Sequence, residues 1–209
     1  MSLAKTLWEE NGDLAQTALE HPFVQGLRRG ALPYQNFQGY IAQDVYFIEA
    51  SARAYALALA RTPDQQGLYD FFDLLAGVIK ELREQEERAA EWGVEPTNVF
   101  PDRATQAYID FLFANAAMGG IGEICAAFLP CIRLYAFLGQ TLAADDPDNE
   151  HRYVSWIRTY AQPDIEMLAV KLEDLLDRYV MGTKAVRAIY RRAMELELDF
   201  FTAHAIGIE

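Results

Sequence analysis

The sequence predicts an all-α protein, a multi-helix bundle formed as a single domain by residues 1–209. Three observations lead there. Apolar residues recur every three or four positions along nearly the whole chain, with no convincing strand-like alternation. Glycines and prolines punctuate that pattern at helix-length intervals. One stretch, GEICAAFLPCIRLYAFLG from Gly122 to Gly139, is apolar on almost every side, with Glu123 and Arg133 as its only charges. A helix without a polar face belongs in the middle of a bundle.

The elements follow in order. Leu3 to Leu19 carries Leu7, Trp8, Leu14 and Ala15 at helical spacing, weakened at Asn11-Gly12. Pro22 suits the first turn of a short helix that ends near Gly30, and Pro33 opens a long helix to about Arg61. Thr62-Pro63 stops it. Asp64 to about Trp92 is apolar in its first half (Leu68, Phe71, Phe72, Leu75, Val78, Ile79). Its second half is the charge run KELREQEER from Lys80 to Arg88, which reads as a solvated face. A loop with a break at Glu95-Pro96-Thr97 precedes a helix from Thr105 to Met118. Gly119-Gly120 then separates that helix from the apolar centre, and Asp145-Asp146-Pro147 closes the next turn. Three further helices follow: one around Tyr153, Trp156, Ile157 and Tyr160, one from about Pro163 to Val180, and one from Thr183 to Ala205.

Three positions depart from this pattern. Pro130 sits inside the apolar helix, where it removes a backbone hydrogen bond, crowds the carbonyl of Ala126 and favours a kink. Cys131 follows it, sharing a helix face with Ala127 and Tyr135. It is either a nucleophile held in a pocket or a small buried hydrophobe. Cys125 points elsewhere on the helix, so a disulfide between the two is not expected. Asp44 falls inside the stripe Phe37, Tyr40, Ile41, Phe47, Ile48 and Tyr55. A carboxylate there is costly unless a partner or ligand meets it. Glu197 lies among Tyr190, Met194, Phe200, Phe201 and His204. Burial would raise its pKa and suit it to donate a proton near neutral pH, and an internal pairing is the alternative.

Composition sets the bounds. Hydrophobic residues make up 52% and charged residues 23% of the chain, so it folds around a sizeable core. A net charge of −13 opposes binding to nucleic acid. No uncharged apolar run is long enough to span a membrane. Two cysteines and no signal-like start lead us to expect a reducing, cytoplasmic setting. Phosphate-binding loops, dinucleotide fingerprints and nucleophile elbows are missing. His21, His151 and His204 lie far apart in the chain and outside metal-ligand spacings, so neither a metal nor a cofactor is expected. His21 reads as a turn or capping residue, His151 as exposed and His204 as a satisfied core histidine.

Several stretches together carry a resemblance: HPFVQGLRRGALP (His21 to Pro33), YIAQDVYF (Tyr40 to Phe47), LPCIRLYAFLG (Leu129 to Gly139), WIRTYA (Trp156 to Ala161) and ELDFF (from Glu197). In these the chain resembles the TenA, or thiaminase II, family along most of its length. The resemblance implies a haem-oxygenase-like helical bundle without haem, assembled as a homotetramer. It implies a small-molecule pyrimidine substrate: hydrolysis of a thiamine-derived aminopyrimidine, with thiamine itself secondary. Cys131 matches the family's catalytic cysteine, Asp44 the carboxylate that binds the pyrimidine's amino edge, and Glu197 the glutamate facing the opposite ring nitrogen. Tyr108, Tyr135 and Tyr160 match pocket tyrosines, Tyr108 in the loosest surroundings. Phe47 stands where the family carries an aromatic, often tyrosine, so a hydroxyl contact there is in question. A non-catalytic pyrimidine-binding or regulatory protein is the rival reading, and Cys131 with Glu197 argue against it. An oxidase acting on a polycarboxylate would need a cluster of His and Arg, which the sequence lacks.

Overall fold

The computed structural model describes residues 2–95, 99–145, 150–180 and 184–207. Among these residues there is no strand. Ten helices follow in order: α1 (Leu3–Glu10), α2 (Gly12–Glu20), α3 (Pro22–Arg28), α4 (Tyr34–Ala60), α5 (Gln65–Glu91), α6 (Arg103–Met118), α7 (Ile121–Asp145), α8 (Val154–Tyr160), α9 (Pro163–Tyr179) and α10 (Lys184–Ala203).

Local chemistry explains the boundaries. The Asp64 carboxylate accepts from the Gly67 amide at 2.8 Å and opens α5, and Asp102 does the same for α6 through the Thr105 amide at 2.8 Å. Pro22 and Pro163 sit in the first turns of α3 and α9, where a missing N–H costs nothing. The expected first helix is split in two. Asn11 ends α1, and its side-chain amide donates to the Leu7 carbonyl at 2.8 Å, so the chain turns there and restarts. Pro96 and Thr97 of the expected break, Asp146 and Pro147 of the expected turn, and Thr183 of the last helix lie outside the described residues.

Helix α7 is the centre, as its composition implies. It packs against α6, α8, α9 and α10, while α4 packs along α5 and α6. Pro130 lies inside α7 and does not end it. On length and composition α7 could cross a membrane, yet 72% of its most apolar window is buried inside the bundle, so its apolarity is accounted for by core packing. One close approach positions the site. A Cβ on Gly139 would lie 2.4 Å from the Tyr160 carbonyl carbon and 2.6 Å from the Ala161 nitrogen. Only glycine lets α7 lie this near the end of α8, and that contact sets the depth of Tyr160.

Helix α5 corrects the reading of its charge run. Lys80 and Glu84 form an exposed surface pair at 3.6 Å, as a solvated face requires. Gln85, however, is 1% exposed, and Glu81 and Arg88 share its inward side. The apolar half of α5 also turns partly outward, with Phe72 60% exposed and Tyr69 and Leu68 exposed beside it.

Candidate active site

A cavity of about 70 Å³ opens where α4, α5, α6, α7, α8, α9 and α10 converge. Asp44 and Phe47 enter from α4, Tyr108 from α6, Cys131 and Tyr135 from α7, Tyr160 from α8 and Glu197 from α10. Every candidate site residue therefore lines one space. Cys131 and Tyr135, one helical turn apart, face it together, while Cys125 is wholly buried elsewhere and both cysteines are free.

Two polar clusters meet there. On one side, the Tyr108 hydroxyl donates to Glu197 Oε1 at 2.6 Å. The Cys131 thiol lies beside the same carboxylate, near enough for each to shift the other's pKa. On the other side, Gln85 Nε2 donates to Asp44 Oδ2 at 2.5 Å, and Arg88 donates in turn to Gln85 Oε1. Arg88 also reaches Thr159 Oγ1 on α8 at 3.2 Å, tying the relay to the next helix. Oδ2 is thereby held, and no protein hydrogen bond among the described residues occupies Oδ1.

The walls are aromatic. The Tyr135 and Tyr160 rings meet edge to face at 4.7 Å, and Phe47 lies 4.8 Å from Tyr108. Trp156 Nε1 donates to the Tyr40 hydroxyl and Tyr40 to the Tyr135 hydroxyl, each at 3.2 Å. That chain leaves the Tyr135 proton free to donate elsewhere. Phe47 contributes a ring face without a hydroxyl.

Burial dominates the electrostatics. It pushes the Glu197 carboxyl from 4.5 up to about 7, against the pull of Tyr108 and Cys131 beside it. Glu81, on the same cavity wall, is pushed by burial to about 7, with Arg88 opposing. Asp44 is raised well above the usual carboxylate range, by burial first and then by the Glu81 charge, while Arg88 draws it down. Burial, then Glu197, also pushes the Cys131 thiol up, so the cysteine rests as a thiol with a proton acceptor beside it.

The sequence reading missed Glu81, Gln85 and Arg88. Their spacing of four and three residues marks one helix face, but the surrounding charges concealed it. The histidines lie outside the cavity. His21 caps α3 by accepting from the Phe23 amide at 3.2 Å. His151 is half-buried rather than exposed, because its ring accepts from the Tyr153 amide at 3.1 Å and packs against Gly30. His204 is buried, but its Nε2 has no hydrogen bond and stands 3.8 Å from Asp102, so the expected satisfied histidine is a core histidine with an unsatisfied ring nitrogen.

The model of the TENA/THI-4/PQQC family matches residues 8–206. The chain belongs to this family. The bifunctional TH2 protein, mitochondrial, of Arabidopsis thaliana is 30% identical over 99% of this chain, which spans 38% of that longer protein. The aminopyrimidine aminohydrolase of Halalkalibacterium halodurans is 28% identical, with 96% of this chain and 94% of that one covered. Among solved structures, a TenA homologue from P. horikoshii OT3 superposes with a TM-score of 0.90 at 24% identity, covering 98% of each chain. A heme oxygenase from Leptospira interrogans superposes at 0.63 and 17% identity, covering 97% of this chain and 100% of that one. The TenA chain thus has the haem-oxygenase-like fold that its motifs led us to expect.

Proposed function

We propose that the protein hydrolyses 4-amino-5-aminomethyl-2-methylpyrimidine to the hydroxymethylpyrimidine and ammonia in thiamine salvage, with thiamine as a further substrate. The relative from Halalkalibacterium halodurans named aminopyrimidine aminohydrolase supports this substrate class. The observation that carries the reading is convergence: a thiol, an acid beside it and a second anchored carboxylate line one aromatic-walled cavity.

The geometry suits a flat heteroaromatic amine. Tyr135, Tyr160, Phe47 and Tyr108 offer faces and edges for the ring. Asp44 Oδ1 accepts from the ring's amino group, while Gln85 and Arg88 hold the carboxylate in place. Cys131 then adds to the ring. The carboxylate of Glu197 takes the thiol proton as sulfur attacks, and gives a proton to the ring nitrogen that gains electron density. A pKa of about 7 suits one group to both transfers near neutral pH. Ring electrons next expel the amine from the exocyclic carbon, water adds there, and the thiol departs as aromaticity returns. Covalent addition divides one hard displacement into easier steps.

Cys131→Ala is expected to abolish ammonia release while product binding persists, and full turnover in that variant would overturn the nucleophile. A protein that only binds pyrimidines would bind the product and release no ammonia in the wild type. We further place the enzyme in the cytoplasm, as a homotetramer. The outward apolar side chains of α5, Phe72 and Tyr69 among them, support a buried interface, and light scattering of the purified protein tests it.

A further inference from the structure

Glu81 stands where two spaces meet. It lines the inner cavity with Asp44, Cys131 and Glu197. It also lines an outer pocket of about 340 Å³, bounded by α5, α8 and α9. The other residues common to both are Tyr160, Ile165 and Leu168, so Glu81 is the one charged group on the shared wall among the described residues. The other acids of the inner cavity are engaged: Gln85 bonds Asp44, and Tyr108 bonds Glu197. The Glu81 carboxyl has no hydrogen bond or ion pair among the described residues. Glu81 is half-buried with the Arg88 charge nearby, and a desolvated acid that makes no hydrogen bond costs stability unless a ligand meets it.

The substrate's geometry places something there. A ring anchored at Asp44 and attacked by Cys131 fills the inner cavity. Its exocyclic arm has to leave through a space beside the ring. The shared wall leads to one. We infer that Glu81 contacts the leaving nitrogen at this junction and then takes a proton from the water that replaces it, the outer pocket receiving the departing group. This rests on the hydrolase reading above.

The step balances. The arm binds as an ammonium, paired with the Glu81 carboxylate. The carbon–nitrogen bond breaks, its electron pair leaves with nitrogen, and ammonia enters the outer pocket. Water forms the new carbon–oxygen bond and passes a proton to Glu81, which hands it to ammonia as the group departs. The product is the alcohol plus ammonium, with no oxidant or reductant. Because the contact is with a cation, the site selects for ammonium or thiazolium leaving groups over neutral acylated amines. Asp44, Cys131 and Glu197 face Glu81 from the inner side, and Lys80, Glu84, Arg88, Asp164 and Lys171 line the outer side. Burial holds Glu81 near 7, so its carboxylate form gains as pH rises through neutrality.

The test compares wild type with Glu81→Gln on 4-amino-5-aminomethyl-2-methylpyrimidine, following ammonia. Calorimetry measures affinity for the hydroxymethyl product, which lacks the leaving nitrogen. The expected result is a fall of about 10²-fold in kcat/KM, with product affinity unchanged and the limb that rises through about pH 7 made shallower, Glu197 supplying what remains of it. Glu81→Asp, which keeps a carboxylate, is expected to keep the wild-type steepness of that limb. Turnover of Glu81→Gln close to wild type would overturn the inference. So would product affinity falling as far as kcat/KM, or a limb in Glu81→Asp as shallow as in Glu81→Gln. A folded wild type that releases no ammonia sinks the hydrolase reading itself, and shows this before any variant is made.

Discussion

Replacing Glu197 by glutamine should make the protein more stable while stopping its chemistry. In the unfolded chain this carboxyl titrates near 4.5, and in the folded protein near 7. Between those values the folded state holds a proton that the unfolded state has released. Wild-type stability therefore falls as pH rises through this window, and the loss is complete above about pH 7. At about 1.4 kcal/mol for each tenfold change in proton affinity, the loss is about 3 kcal/mol. The side chain is only 2% exposed, so solvent screening does little to reduce this. Glutamine does not titrate. It keeps one oxygen to accept from Tyr108, but leaves the Cys131 thiol with a poorer partner, at a cost of about 1 kcal/mol. Glu197→Gln should thus gain about 2 kcal/mol over wild type at pH 8. It should hold no advantage at pH 4.5. Urea unfolding at both pH values, with matched slopes, measures the difference. Buried acids away from Glu197 shift alike in both proteins and cancel, while Asp44, raised in part by the Glu197 charge, adds to the gain of the variant. Parallel stability–pH curves would refute the reasoning, because they would mean that Glu197 pays no burial penalty. Such a gain in a dead enzyme would be a local stability–function trade-off.

Two further outcomes are expected. Gln85→Leu removes the donor that holds Asp44 Oδ2, at about 1–3 kcal/mol for the orphaned acceptor. Product affinity measured by calorimetry should fall, and an unchanged affinity would reduce Gln85 to packing. Gly139→Ala drives a methyl into the backbone at Tyr160 and Ala161, which cannot yield as a side-chain tip could. It should cost about 1–3 kcal/mol in urea unfolding and lower turnover by displacing Tyr160; wild-type stability would contradict the close approach.

The helical order was legible because its signals are local. Periodicity, Asp64, Asp102 and the prolines act within one or two turns of themselves. The three chemical positions were legible for a related reason. Asp44 and Glu197 each break an apolar stripe, and Cys131 sits on the most apolar helix, so burial could be inferred without knowing the neighbours. Glu81, Gln85 and Arg88 escaped this logic. They lie in a run of like residues, and only the helix packed against them separates the inward face from the solvated one. The outward turn of Phe72 escaped it too, because an apolar residue at helical spacing reads as core whether or not another helix arrives to cover it.

By itself, the sequence determined the helices, the buried centre and the identity of the reactive groups, since each depends on contacts within a few residues along the chain. Tertiary structure decided which groups share a wall. The approach of Cys131 to Glu197 links two helices, the relay from Arg88 through Gln85 to Asp44 links two others, and the position of Glu81 depends on α5, α8 and α9 closing around it. Gln85 and Asp44 are 41 residues apart in the chain, beyond the reach of any local signal, and only packing brings them within hydrogen-bonding distance.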